Sequence, residues 1–184
     1  MTTRLAGALT ALAAGLTLTA CGTTTTAEPD AAAPPCRTAS LTWTLTLLDG
    51  KGAAHASGTG HDGPPGARLT AVNKGPGTCL FAGYPSLEIH NGKADGVEGA
   101  GPGHPAALSL PGKGAVAVDL RYTPPGTKGA DTWCVRQGEA AVRAPHDSRG
   151  TSVPVTDAHG RSAVLDACGE TIAMAAPRRT GAGS

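Results

Sequence analysis

The sequence predicts an all-β fold, an antiparallel β-sandwich with two disulfides, preceded by a signal peptide and a disordered tether. Three observations predict it. Short apolar runs alternate with clusters of Gly, Pro, Asn and Asp, and no helical period follows residue 35. Gly 27 and Pro 15 stand against two Trp, two Tyr and one Phe, which means many turns and a light core. Five cysteines are present, and four of them fall after residue 35, where covalent staples would offset that light core.

The chain opens with one basic residue, Arg4, and an uncharged Leu/Ala/Thr run from Leu5 to Leu18. This is the layout of a secretory signal peptide, and it is short of the about 20 apolar residues of a membrane-spanning helix. Leu18-Thr19-Ala20-Cys21 resembles the lipobox of bacterial lipoprotein signal peptides. Residues 1–20 are therefore read as the signal peptide, and Cys21 as the first mature residue with diacylglycerol on its sulfur. The alternative is soluble secretion with Cys21 left as a spare thiol. Gly22 to Pro35 has no hydrophobic period and is expected to be a disordered tether, over residues 21–35, with a reach of roughly 20 Å.

The domain is expected over residues 36–176, with a flexible tail at 177–184. Its first strand is Leu41 to Leu47, with Leu41, Trp43, Leu45 and Leu47 on the buried face and Thr42, Thr44 and Thr46 on the solvent face. Asp49 to Gly66 reads as a Gly/Pro loop, Ala67 to Val72 as the second strand, and Asn73-Lys74-Gly75-Pro76-Gly77 as turn chemistry. Further strands are read at Thr78–Phe81, Ser86–His90 and Ala115–Tyr122. Asn91-Gly92 signals a hairpin, since a type I′ turn wants positive φ at both central residues. The last strands are placed at Thr132–Arg136, Ala140–Arg143, Thr151–Val155, Ser162–Leu165 and Glu170–Ala175.

With Cys21 assigned to lipid, Cys36, Cys79, Cys134 and Cys168 form an even set suited to an oxidising compartment. Three pairings are open. Cys36–Cys79 with Cys134–Cys168 is favoured, because each bridge then ties one strand-bearing half to itself, at roughly 3 to 4 kcal/mol apiece. No Cys or His pair has the short spacing of a zinc site.

Asn73-Lys74-Gly75 leads to Cys79-Leu80 and Gly83-Tyr84-Pro85, then to Leu108-Ser109-Leu110-Pro111-Gly112, and last to Cys134 and Cys168. This order resembles the actinobacterial secreted and lipoprotein family that carries domain of unknown function 4232. The resemblance runs from Cys36 to about Ala175. It implies an extracytoplasmic address, disulfides and an immunoglobulin-like sandwich, and it implies no catalytic site.

The net charge of +1 and the absence of any Lys/Arg run longer than Arg178-Arg179 argue against a nucleic-acid partner. Tyr84 is a candidate ligand platform; the competing reading is a tight Tyr-Pro turn with the ring over a disulfide. His55, His61 and His104 are candidate metal ligands, against solvated loop histidines. Asp119 and Glu88 lack an evident carboxylate partner, and no hydrolase, phosphate-loop or zinc-protease motif occurs. No catalytic residue, metal or cofactor is therefore assigned. The function expected is a non-catalytic binding module of the cell envelope, anchored to the outer face of the membrane, with the loops Asp49–Gly66 and Gly92–Pro105 as its binding elements. The alternative is an envelope hydrolase or metal-handling protein that uses the loop histidines.

Overall fold

A computed structural model describes residues 33–48, 66–92, 96–127, 130 and 132–181. Cys21, the signal peptide, nearly all of the tether, His55 and His61 lie outside the described residues, as does the Asp49–Gly66 loop except Gly66 itself. The strands are β1 Leu41–Leu47, β2 Ala67–Asn73, β3 Cys79–Phe81, β4 Ser86–His90, β5 Gly96–Ala100, β6 Leu108–Leu110, β7 Ala115–Thr123, β8 Cys134–Gln137, β9 Glu139–Arg143, β10 Thr151–Thr156, β11 Leu165–Met174 and β12 Arg178–Thr180. The fold is all-β, as its alternating sequence predicts.

Its ladders close on themselves. The order β7-β2-β1-β10-β9-β4-β5-β11 returns to β7 through a β7–β11 pairing, which makes a ring of eight strands. β12 extends the ladder on β7, β8 extends it on β11, and β3 forms a separate two-stranded sheet with β6, with Leu80 also bridged to Pro35. The sequence predicts an antiparallel sandwich; the structure has its all-β strands and two disulfides, with the main sheet closed into a ring. The ring consists of two runs, β11-β7-β2-β1 and β10-β9-β4-β5, each antiparallel throughout. Parallel pairs join the runs at both borders, β1 with β10 and β5 with β11. Closure removes the unpaired edges that an open sheet would present.

The main core packs inside this ring around Leu45, Leu69, Ile89, Val118, Leu120 and Leu165. A second cluster, with Cys36, Cys79, Phe81, Leu110 and Val116, lies at the β3–β6 pair. The disulfides are Cys36–Cys79 and Cys134–Cys168, closing separations of 43 and 34 residues. At those loop lengths each contributes about 4 kcal/mol in the chain-entropy account.

β1 keeps the predicted register: Leu41 and Leu45 are buried, and Thr42 and Thr44 are exposed. Trp43 and Leu47 are only half-buried, a correction to the expectation of four buried residues on that face. The segment read as the loop Gly92–Pro105 contains β5, whose Val97 is fully buried. Its glycines answer packing. A Cβ at Gly101 would fall within 2.2–2.7 Å of the Tyr84 ring, and one at Gly96 would lie 2.9 Å from the Ile89 carbonyl oxygen. The hairpin joining β4 to β5 is longer than a two-residue turn, since His90 pairs with Gly96. Gly92 has φ 59°, whereas Asn91 is not among the described residues with positive φ. Residues 178–180, read as flexible tail, pair with β7 at Ala115–Ala117.

Candidate functional site

β1 and β10 are registered only at Leu45↔Val155 and Thr46↔Thr156. Ser40 and Leu48 bond their backbones to the β2 side, so the even positions of β1 face β2 and the odd positions face β10. On β10 the Val155 N–H donates to the Gly138 carbonyl beside β9, so Ser152 and Pro154 face β1. Pro154 has no N–H to give to that ladder. Upstream of Leu45 the pairing stops, and a crease of about 350 Å³ follows the seam.

Its walls come from four places. Leu41 and Trp43 form one side, Thr151–Pro154 the other, with Thr38 and Ala39 at one end and Lys74, Arg149 and Gly150 on the rim. Trp43 is partly buried against both core clusters, lies 6.3 Å from the Phe81 ring, and donates its indole N–H to the Thr38 carbonyl at 3.3 Å. Lys74, Arg149, Thr151, Ser152 and Pro154 are exposed. Neither Lys74 nor Arg149 has an ion-pair partner among the described residues.

Two buried polar residues build this rim. Asn73 is 2% exposed; its Nδ2 donates to the carbonyls of Gly77, Leu110 and Pro111, and its Oδ1 accepts from the Gly75 N–H. That network fixes the turn that carries Lys74. A Cβ on Gly112 would lie 2.7 Å from the Pro76 carbonyl oxygen, so the Leu110-Pro111-Gly112 turn sits directly on the Asn73 turn. On the opposite rim the Asp147 carboxylate accepts from the Thr38 N–H at 2.7 Å and from the Arg149 N–H at 3.2 Å. Those backbone donors, Thr38 first, hold its pKa down at about 2. The Thr38 hydroxyl also hydrogen-bonds to the Asp147 carboxylate and accepts the Ala144 N–H, at 2.9 Å.

Across β10 lies a second hollow of about 300 Å³, lined by Glu88, His90, Gln137 and Glu139 and sharing Gly150, Thr151 and Ser152 with the crease. Ser152 donates to Glu139 at 2.6 Å, and His90 Nδ1 is 3.7 Å from Glu88. Glu88 also stands opposite Glu98. The two hollows thus carry opposite charge on either side of one strand.

The candidate ligand residues from sequence that fall among the described residues lie elsewhere. The Tyr84 ring packs on Gly101 and the main core, and its hydroxyl donates to the Pro102 carbonyl at 3.1 Å. Asp119 is clamped by Arg68 at 2.7 Å and Arg178 at 2.9 Å, linking β2, β7 and β12. His104 is exposed. Among the described residues no three His, Cys, Asp or Glu side chains are grouped to hold a metal ion. Sequence reasoning missed the crease, because Lys74, Trp43 and Arg149 come from three distant segments. The Pro within the Thr151–Thr156 run was its one local signal.

The model of a family described as Domain of unknown function (DUF4232) matches residues 36–176. The chain belongs to that family. No curated protein and no solved structure matches the chain.

Proposed function

We propose that this chain is a non-catalytic binding module of the cell envelope, held at the outer face of the membrane by lipid on Cys21, and that it binds through the β1–β10 crease. One observation carries the binding surface: a half-buried indole and two cations without ion-pair partners line one crease, where two strands of a closed ring stop pairing. The address is supported by Leu18-Thr19-Ala20-Cys21 and by the two disulfides. We also read the ring as an immunoglobulin-like sandwich whose two sheets meet at the parallel pairs; its support is the antiparallel run within each half.

The test is retention of the mature full-length chain, in detergent, on washed envelope fragments of a bacterium that makes it. Retention should survive Tyr84→Phe and His104→Ala and fall sharply in Lys74→Glu/Arg149→Glu. Equal retention of that double variant refutes the crease as the binding surface.

A further inference from the structure

Resting on that reading, we propose that the crease takes an acidic glycan: a chain of sugar rings bearing carboxylate groups. The rim supplies the charge term. Lys74 and Arg149 are exposed and have no ion-pair partner among the described residues, whereas Arg37, 3.9 Å from Asp147, is offset by that carboxylate. Asp147, which does not line the crease, is held by the Thr38 and Arg149 backbone N–H groups, and its charge is balanced by Arg37. The acidic hollow beyond β10, with Glu88 and Glu139, would repel an anion and confine it to the Trp43 side.

The walls supply the sugar term. Trp43 offers a flat apolar ring whose polar edge is already satisfied by Thr38, so its remaining accessible surface suits the C–H face of a pyranose. The opposite wall presents the exposed Thr151 and the backbone groups of Ser152, whose hydroxyl is engaged by Glu139 across β10. This crease is lined by an indole, a threonine hydroxyl, backbone groups and two cations. Its volume, about 350 Å³, stands at the small end of ligand clefts, which run about 300–1,000 Å³, and suits one or two rings of a longer chain.

The probe is an oligogalacturonate, with binding to the mature full-length chain and its variants read by titration calorimetry, and the indole's own response read by Trp43 fluorescence with Trp133→Phe as background. Binding is expected, weakening roughly tenfold in Lys74→Glu/Arg149→Glu, whose exposed positions leave the melting temperature unchanged. It should also weaken several-fold as salt rises from about 50 to 300 mM. A neutral galactan of the same length should bind far more weakly, and Trp43→Phe should retain part of the affinity that Trp43→Ala loses. Equal binding of the neutral chain overturns the charge argument, and equal or tighter binding of polyglutamate overturns the glycan in favour of a peptide. If oligogalacturonate fails while envelope retention still depends on Lys74 and Arg149, the glycan assignment falls and the binding surface stands. If both fail, the surface falls with it.

Discussion

Replacing Asn73 by Ala removes the polar centre on which the crease rim is built. Asn73 is 2% exposed, and its amide serves three carbonyls and one N–H: Gly77 at 2.8 Å, Leu110 at 3.1 Å, Pro111 at 3.2 Å and the Gly75 N–H at 3.0 Å. A buried group left without its partner costs about 1–3 kcal/mol. Two Nδ2 hydrogens shared among three carbonyls amount to two full donors, and Oδ1 adds one acceptor. Some of the freed groups reach water, because the Gly77 and Gly75 contacts are only part-buried. A loss of about 3 kcal/mol follows, which lowers Tm by about 10 °C in a domain of this size. Asn73→Asp is the sharper probe. Its carboxylate would face three carbonyl oxygens with nothing to donate, so at pH 7 it should be less stable than Asn73→Ala. Burial among acceptors raises the pKa of that new carboxyl above its unfolded value, so its stability should recover as pH falls and be lost as pH rises through the folded pKa. The assay is thermal unfolding by circular dichroism under non-reducing conditions from pH 7 to 3.5. An Asn73→Asp protein that melts with the wild type at pH 7 refutes the network.

Gly101→Ala should displace the Tyr84 ring, since its Cβ would overlap that ring, and lower Tm by several degrees; an unchanged Tm alongside an unchanged near-ultraviolet spectrum would contradict this packing. Asp147 has its pKa lowered to about 2 by the Thr38 and Arg149 N–H groups, so its contribution is complete above the unfolded value near 4 and fades as pH falls toward 2. Denaturant titrations of the wild type and Asp147→Asn should therefore differ at pH 6 and converge toward pH 2. Trp43→Ala should cost about 2–3 kcal/mol, at or below the low end for a large core aromatic, because Trp43 is half-buried; a loss above about 5 kcal/mol in chemical unfolding would place it wholly in the core. The mature chain from membranes should begin at Cys21 with a diacylglyceryl mass, and Cys21→Ala should stop its processing; intact-mass analysis that finds another N-terminus without lipid refutes the anchor.

Much of the strand pattern was legible because it is local. Leu41–Leu47 alternates with period two, and Ala67–Val72 and Ser86–His90 show apolar runs bounded by turn residues. What was not legible depends on packing between distant segments. Gly96, Gly99 and Gly101 look like loop composition, yet each is small because another chain segment occupies the place of its side chain. The parallel pairs that close the ring join residues more than 70 positions apart, Thr171 with Glu98 and Leu45 with Val155, and nothing in either segment announces the other. Asn73 read as turn chemistry, which it is, but its burial and its grip on Leu110 and Pro111 follow only from the second turn folding onto it. The crease was the least legible feature. It exists because Pro154 and the short register interrupt one seam, and its three principal side chains come from β1, the turn after β2 and the segment before β10.

Amide chemical-shift mapping tests the binding surface most directly. With uniformly labelled mature chain and solubilised envelope glycan, the perturbed resonances should cluster at Trp43 and its indole N–H, Lys74, and Arg149–Val153, with the Tyr84 and His104 neighbourhoods unmoved. Perturbations confined to Tyr84, His104 or the acidic hollow of Glu88 and Glu139, with Trp43 silent, would contradict the account.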